Sequence, residues 1–164
     1  MKKKAYFAGG CFWCIEPVFE ALPGVSGAVS GYSGGREEAP SYEDVKAQRT
    51  GHRETVCVEY DDGKISFGAL LDAYLGSVDP FDEGGQFIDR GHSYTLAVYY
   101  TCGEERRTAE AKLAALEQSA GKRVYISVEP FQSFWMAEEY HQDYYLLHPD
   151  EFEKELTESG RKDR

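Results

Sequence analysis

An α+β fold, a two-layer sandwich on a ferredoxin-like split β-α-β core, is what the sequence predicts, and three observations lead to it. The chain has 164 residues, 41% of them hydrophobic and 14% aromatic, enough for a single domain around one sizeable core and too few for a second large one. Its apolar residues repeat with period 2 or 3.6 in the order βαββαβ, followed by a further αβ. Two long connections, residues 33–52 and 79–94, interrupt that order, and loops of such length are usually functional. The opening sextet is the split βαβ pattern, an antiparallel or mixed sheet that carries its helices on one face.

Each element has its own signal. Residues 4–8 alternate and run into Gly9-Gly10, which reads as a strand and a tight turn. Phe12, Ile15, Val18, Phe19 and Leu22 then recur at helical spacing, with Pro17 early enough to be tolerated and Pro23-Gly24 as the stop. Residues 25–32 predict a second strand, whose glycines and serines permit close backbone approach. Inside the first long loop, Ser41 caps a short helix from Tyr42, with Asp44 three residues later. Residues 54–60 are β-branched and apolar and close on Asp62-Gly63, which predicts a third strand. Phe67, Leu70, Leu71, Tyr74 and Leu75 mark an amphipathic helix ending near Gly76 and Pro80. After the second loop come a strand at 95–101, a charged helix at 104–119 and a last strand at 124–129. A C-terminal helical segment is expected over 135–147 and a frayed tail over 160–164.

Composition excludes several classes of function. Eighteen Lys and Arg against 29 Asp and Glu leave a net charge of −11, which repels phosphate backbones and anionic lipid. Nucleic acid and membrane are therefore not expected partners. Met1 and three lysines precede an apolar stretch, but Gly9-Gly10 interrupts it, Glu16 ends it and no small-x-small site follows, so no export is read. The expected location is cytoplasmic. Four cysteines are too few for a disulfide-stapled scaffold, and a reducing compartment keeps them as thiols.

The chemistry concentrates in Gly10-Cys11-Phe12-Trp13-Cys14. A thiol at a strand-to-helix junction meets unpaired backbone N–H groups and the positive end of the helix dipole, which can lower its pKa from about 8.5 to roughly 3.5–7.5. Cys14 lies one helical turn on, within reach of a disulfide. Three readings remain open from these residues alone: a redox pair, half of a zinc site, or two small hydrophobes. The zinc reading is the weaker because no second Cys-x-x-Cys exists and the four histidines are scattered. Phe12 and Trp13 offer an apolar wall for a methyl or thioether group, although such pairs more often pack a core.

Gly10-Cys11-Phe12-Trp13 with Glu16 resembles the signature of A-type peptide methionine sulfoxide reductases. Gly31-Tyr32-Ser33-Gly34-Gly35, Pro40-Ser41-Tyr42, Thr50-Gly51-His52-Arg53-Glu54, Asp79-Pro80, Asp89-Arg90-Gly91 with Tyr94, and Ala137-Glu138-Glu139-Tyr140-His141-Gln142 are similar to further blocks of that family, in its order. They extend from about Tyr6 to Pro149. The resemblance implies that a Cys11 thiolate attacks the sulfur of a methionine sulfoxide. It implies that Glu54, buried and raised in pKa, supplies a proton to the departing oxygen, and that Tyr42 and Tyr94 donate O–H groups to it. Phe12 and Trp13 would seat the ε-methyl, and Asp89 would order its loop or position a polar group. Tyr32, His52 and His141 are read as structural. The implied substrate is the S epimer of free or peptidyl methionine sulfoxide, with no bound cofactor or metal, with thioredoxin, glutaredoxin or another dithiol as reductant, and with the chain acting as a monomer.

Two departures from the family pattern matter. Position 14 is usually glycine there, and the usual resolving cysteines, upstream of the Gly-His block or in the tail, have no counterpart; Lys46 occupies the former region. Cys14 is thus the leading candidate to condense with a Cys11 sulfenic acid, a single-cysteine cycle with an external thiol is the alternative, and Cys57 and Cys102 are expected to be buried and inert. In the second loop, Ser93 and Thr95 replace the glutamine and arginine that commonly flank the tyrosine.

Overall fold

The alternation in β1 (Lys2–Gly9) buries both of its faces: Ala5 and Phe7 enter one apolar cluster, and Tyr6 and Ala8 a second one across the sheet. The computed structural model from which this is read describes residues 1–138. Beyond β1 the chain forms α1 (Phe12–Glu20), β2 (Val25–Ser33), α2 (Tyr42–Lys46), β3 (Arg53–Asp61) and α3 (Phe67–Ser77). It continues through a small hairpin of β4 (Gly85–Gln86) and β5 (Asp89–Arg90), a 3-10 turn at His92–Tyr94, β6 (Leu96–Tyr100), α4 (Gly103–Ala120), β7 (Ile126–Pro130) and β8 (Phe134–Met136). The result is a mixed α/β structure with one main sheet, in the order β7-β6-β1-β3-β2-β8. Every pairing in it is antiparallel except β6 with β7, which the crossover through α4 makes parallel.

Register keeps the two clusters apart. Phe7 faces Val56 on one side and Val98 on the other, while Tyr6 faces Cys57 and Tyr99, so period-2 alternation is shared by three strands. The larger cluster adds Ile15 and Phe19 of α1 and Leu70, Leu71 and Tyr74 of α3; the smaller is covered by Phe131 and Phe134. Ser41 and Ser66 cap α2 and α3 by accepting from the Asp44 and Ala69 N–H groups at 3.2 and 3.0 Å.

Three expectations are corrected. The segment expected to be helical over 135–147 is a strand in its described part: Phe134–Met136 pairs with β2, and the rest from 139 on, with the tail, lies outside the described residues. The reason is Gly31, where a Cβ would stand 2.4 Å from both the Phe134 ring and the Trp135 carbonyl; its absence lets an aromatic strand close on the sheet edge. The second loop is not wholly irregular, since it contains the β4–β5 hairpin. Cys102, expected to be buried, is exposed at the N-cap of α4 just past the end of β6; Cys57 is buried as expected. Among the described residues, no helix is long and apolar enough to cross a membrane.

Candidate active site

Four strand ends meet at one edge of the sheet: the ends of β1 and β2 and the starts of β3 and β6. Gly10, at φ +86°, turns the chain from β1 into α1 in a conformation that a side chain would resist, and this sets Cys11 at the N-cap. At the start of β3, alternation sends Glu54 to the helix side and Arg53 to the other. The Phe12 N–H at the first position of α1 donates to Glu54 Oε1 at 3.2 Å, so carboxyl and thiol share the same helix end. Glu54 Oε2 is buried and has no well-formed hydrogen bond among the described residues. Tyr32 stands opposite Glu54 in the ladder, Tyr42 begins α2, and Tyr94 closes the 3-10 turn.

Electrostatics here follow from dryness. Glu54 is 1% exposed, and burial with the charge of Asp89 pushes its pKa up to about 8. The Phe12 N–H, the Tyr94 hydroxyl and Lys46 oppose that rise without cancelling it. Tyr94 is pushed up by burial and then by Glu54, Tyr42, Asp89 and Cys11, which keeps its hydroxyl a donor. The expectation for Cys11 is overturned: its thiol is held well above the ordinary value rather than below it. A hydrogen bond with Cys14 is the first cause, followed by burial, the Cys14 charge, Glu54 and Asp89. Cys11 and Cys14 are 6% and 4% exposed, and the Cys14 N–H donates to the Cys11 carbonyl at 3.1 Å, so the two thiols sit on one tight turn.

The aromatic residues divide in two. Phe12, 1% exposed, is a core residue whose ring meets Tyr32 at 5.8 Å and Tyr42 at 6.2 Å. Trp13 is half-buried and stacks on Tyr42 at 6.1 Å, while Lys46 Nζ lies over the Tyr42 ring at 5.7 Å. Trp13 and Tyr42 are therefore the accessible wall, and Phe12 backs it.

Asp89 reaches the site on the β4–β5 hairpin, which Arg90 fastens to Asp82 and buried Gln86 fastens to Asp79. His52 is fully buried and braces the Gly34-Gly35 turn, accepting from the Gly35 N–H at 3.3 Å. Ser93 and Thr95 make contacts of their own: Ser93 meets Gln48, and Thr95 Oγ1 accepts from Arg53 Nε at 2.8 Å. Arg53 continues to Tyr99 at 3.0 Å and Glu129 at 2.7 Å on the outer face.

The sequence reading gave no role to several contributors, although Glu16 and Glu138 lie within its family blocks. Glu138 accepts from the Tyr32 hydroxyl at 2.9 Å and the Tyr42 N–H at 3.2 Å, which ties the end of β8 to two site aromatics. Glu16 is buried in α1 and accepts from the Ser30 hydroxyl. Its signal was available, because a carboxylate at position 16 shares a helical face with Phe12, Ile15 and Phe19. Glu138 and Gln48 gave no local signal, since their partners come from other elements. His141 lies outside the described residues. No cluster of three or more His, Cys, Asp or Glu among the described residues is arranged to hold a metal.

A family model described as peptide methionine sulfoxide reductase matches residues 3–164. The peptide methionine sulfoxide reductase MsrA 2 of Staphylococcus aureus (strain Mu50) is 42% identical to the chain over 163 residues, which span 98% of this chain and 92% of that protein. Among solved structures, Mxr1 from Saccharomyces cerevisiae in reduced form is similar at a TM-score of 0.84 and 26% identity, covering 91% of this chain and 87% of that one. Mxr1 in complex with Trx2 shares the fold at a TM-score of 0.58 and 18% identity, over 87% and 84% of the two chains.

Proposed function

Because the chain belongs to the peptide methionine sulfoxide reductase family and is an enzyme that reduces methionine sulfoxide to methionine, we propose that it does so by attack of the Cys11 sulfur on the sulfoxide sulfur. The observation that carries this assignment is the buried Glu54 carboxyl, anchored through Oε1 to the helix end that bears Cys11, with Oε2 left for a substrate oxygen. In the form of the pair that holds one proton, that proton moves from the Cys11 thiol to Glu54. The thiolate attacks, Glu54 gives the proton to the sulfoxide oxygen, and Tyr42 and Tyr94 donate to that oxygen as its charge grows. The protonated oxygen then passes to the Cys11 sulfur as its bond to the substrate sulfur breaks, and the bond between the two sulfurs breaks with its electron pair left on the substrate. A Cys11 sulfenic acid forms, methionine leaves, and the proton count closes without an outside acid. Trp13, backed by Phe12, seats the ε-methyl, and the charge of Asp89 helps to keep Glu54 protonated.

Cys14 then attacks the sulfenic sulfur, releasing water and forming the Cys11–Cys14 disulfide. Their shared turn and hydrogen bond support this step. A dithiol protein reduces the disulfide, and thioredoxin is our choice, since the yeast relative Mxr1 is known in complex with Trx2. The S epimer, free or in peptides, is the proposed substrate. We also read β1, β2, β3 and β6 as the split β-α-β core of a two-layer sandwich, supported by β3 lying between β1 and β2 and antiparallel to both.

Separated sulfoxide epimers offered in single turnover, followed by thiol titration and disulfide mapping, test the scheme. One methionine per chain from the S epimer, with loss of the Cys11 and Cys14 thiols together, is the expected result. A reduced sulfoxide with both thiols still titrating at Cys14 and Cys57, or a Cys11→Ser variant that still turns over once, would refute it.

A further inference from the structure

The oxygen-binding hydroxyls assigned above come from separate segments, Tyr42 from α2 and Tyr94 from the 3-10 turn, and nothing in either segment alone fixes their spacing. We propose that Gln48 is a positioning residue for the reaction: its side-chain amide clasps the turn that carries Tyr94 to the helix that carries Tyr42. This rests on the assignment of those two hydroxyls.

Three hydrogen bonds make the clasp. Gln48 Nε2 donates to Ser93 Oγ at 2.7 Å and to the Lys46 carbonyl at 3.0 Å, and Oε1 accepts from the Ser93 N–H at 2.9 Å. One amide therefore uses both of its donors and its acceptor, and it spans the last residue of α2 and the residue just before Tyr94. Gly91, at φ +120°, completes the fit: a Cβ there would stand 2.7 Å from Gln48 Cδ, so the turn rests directly on the amide. Gln48 itself adopts φ +63°, a left-handed conformation in which glycine or asparagine is at ease and glutamine is not. The strain is tolerated where the amide is held at both ends. A second link between the segments, from His92 Nε2 to the Gly51 carbonyl at 3.0 Å, is exposed and does not touch α2.

A residue that only stiffens the fold and one that sets the donor spacing make different predictions in a double-mutant cycle. Gln48→Gly removes the amide and relieves the backbone, while Gln48→Asn keeps an amide and tolerates the left-handed conformation but falls one methylene short. Each variant is measured for the single-turnover rate constant and the half-saturating concentration of a methionine sulfoxide peptide, alone and combined with Tyr94→Phe, with thermal unfolding followed in parallel. Each single variant is expected to slow the turnover by about 10-fold with the half-saturating concentration within about 2-fold, because the loss is one of alignment rather than of binding. In the Tyr94→Phe background, Gln48→Gly should slow the reaction by less than about 2-fold, since the hydroxyl it places is gone. The same fold loss in both backgrounds, or full speed for both single variants, overturns the clasp and leaves the hydroxyl assignment standing. Full speed for Tyr94→Phe alone overturns that assignment and the clasp with it.

Discussion

Replacing Glu54 by glutamine should make the protein less stable in acid and more stable in mild alkali, and the structure sets the size of both effects. The folded pKa of about 8 lies above an ordinary glutamate value of 4.5. Below the unfolded value both states carry the proton and nothing is lost. Between 4.5 and about 8 the unfolded chain releases a proton that the folded chain retains, so stability falls as pH rises through that window, by about 5 kcal/mol in all at about 1.36 kcal/mol per unit. Some 4 kcal/mol of this, roughly, falls between pH 5 and pH 8.5. Glutamine keeps the acceptor for the Phe12 N–H but places an amide N–H₂ where Oε2 stood without a partner among the described residues, a pH-independent loss of about 1–3 kcal/mol. The groups that face this carboxyl, namely Asp89, Tyr94, Lys46 and Cys11, are the same in both proteins. Urea unfolding of wild type and variant near pH 5 and pH 8.5 measures the difference directly. Its sign should reverse, from a less stable variant at the lower pH to a more stable one at the higher. A difference that stays constant would mean that Glu54 is already ionised in the folded protein at neutral pH, so that burial does not raise its pKa and the expected climb of kcat/KM past pH 8 fails with it.

The same site predicts rates. With Glu54 near 8 and Cys11 higher, the one-proton form of the pair fills as pH rises past about 8, so kcat/KM should climb through that region and fall again further up; in Glu54→Gln the falling limb should vanish, and a wild-type rate already declining through pH 8 would contradict the shared-proton scheme. Cys14→Ser should complete one turnover at near wild-type speed and then fail to be recycled by thioredoxin, whereas steady thioredoxin-driven turnover would remove Cys14 from the resolving role. Gly31→Ala should detach β8, because its Cβ would meet the Trp135 carbonyl at 2.4 Å; a lower unfolding midpoint and faster amide exchange at Ala137, whose N–H donates to the Ser30 carbonyl, are the expected readouts, and an unchanged midpoint would show that the edge yields without loss.

What the sequence made legible was local. The alternation of Tyr6, Phe7 and Ala8, the serine cap at 41 and the glycine turn before Cys11 each depend on neighbours within a few residues, and each is found where expected. What misled was an argument from one neighbour, the helix end, applied to a group with several. The helix end at Cys11 argues for a thiolate, but the hydrogen bond with Cys14 and burial raise the thiol instead, and Glu54 and Asp89, which arrive from elsewhere in the chain, add to the rise. Phe134-Trp135-Met136 is too short to show a period, and its strand form is decided by the missing side chain at Gly31. Only the family resemblance points to Tyr42, Glu54, Asp89 and Tyr94 as site candidates, since a tyrosine or a carboxylate at a loop end is otherwise unremarked. Gln48 is absent from the family blocks and Glu138 has no role assigned to it there, because the value of both lies in joining segments that only folding brings together.

Adjacent residues of β3 serve opposite sides of the sheet, with Arg53 bolted to Tyr99 and Glu129 outside and Glu54 at the thiol inside. A single inserted or deleted residue at the start of this strand would exchange them and bring a permanent cation to the spot where the proposed proton carrier stands. Descendants of this chain are therefore at liberty to lengthen or trim the loop that precedes β3, while the strand itself tolerates no frame change. Heritable variation around the reaction centre is in this way channelled into the loops by nothing more than the pleat of one ladder.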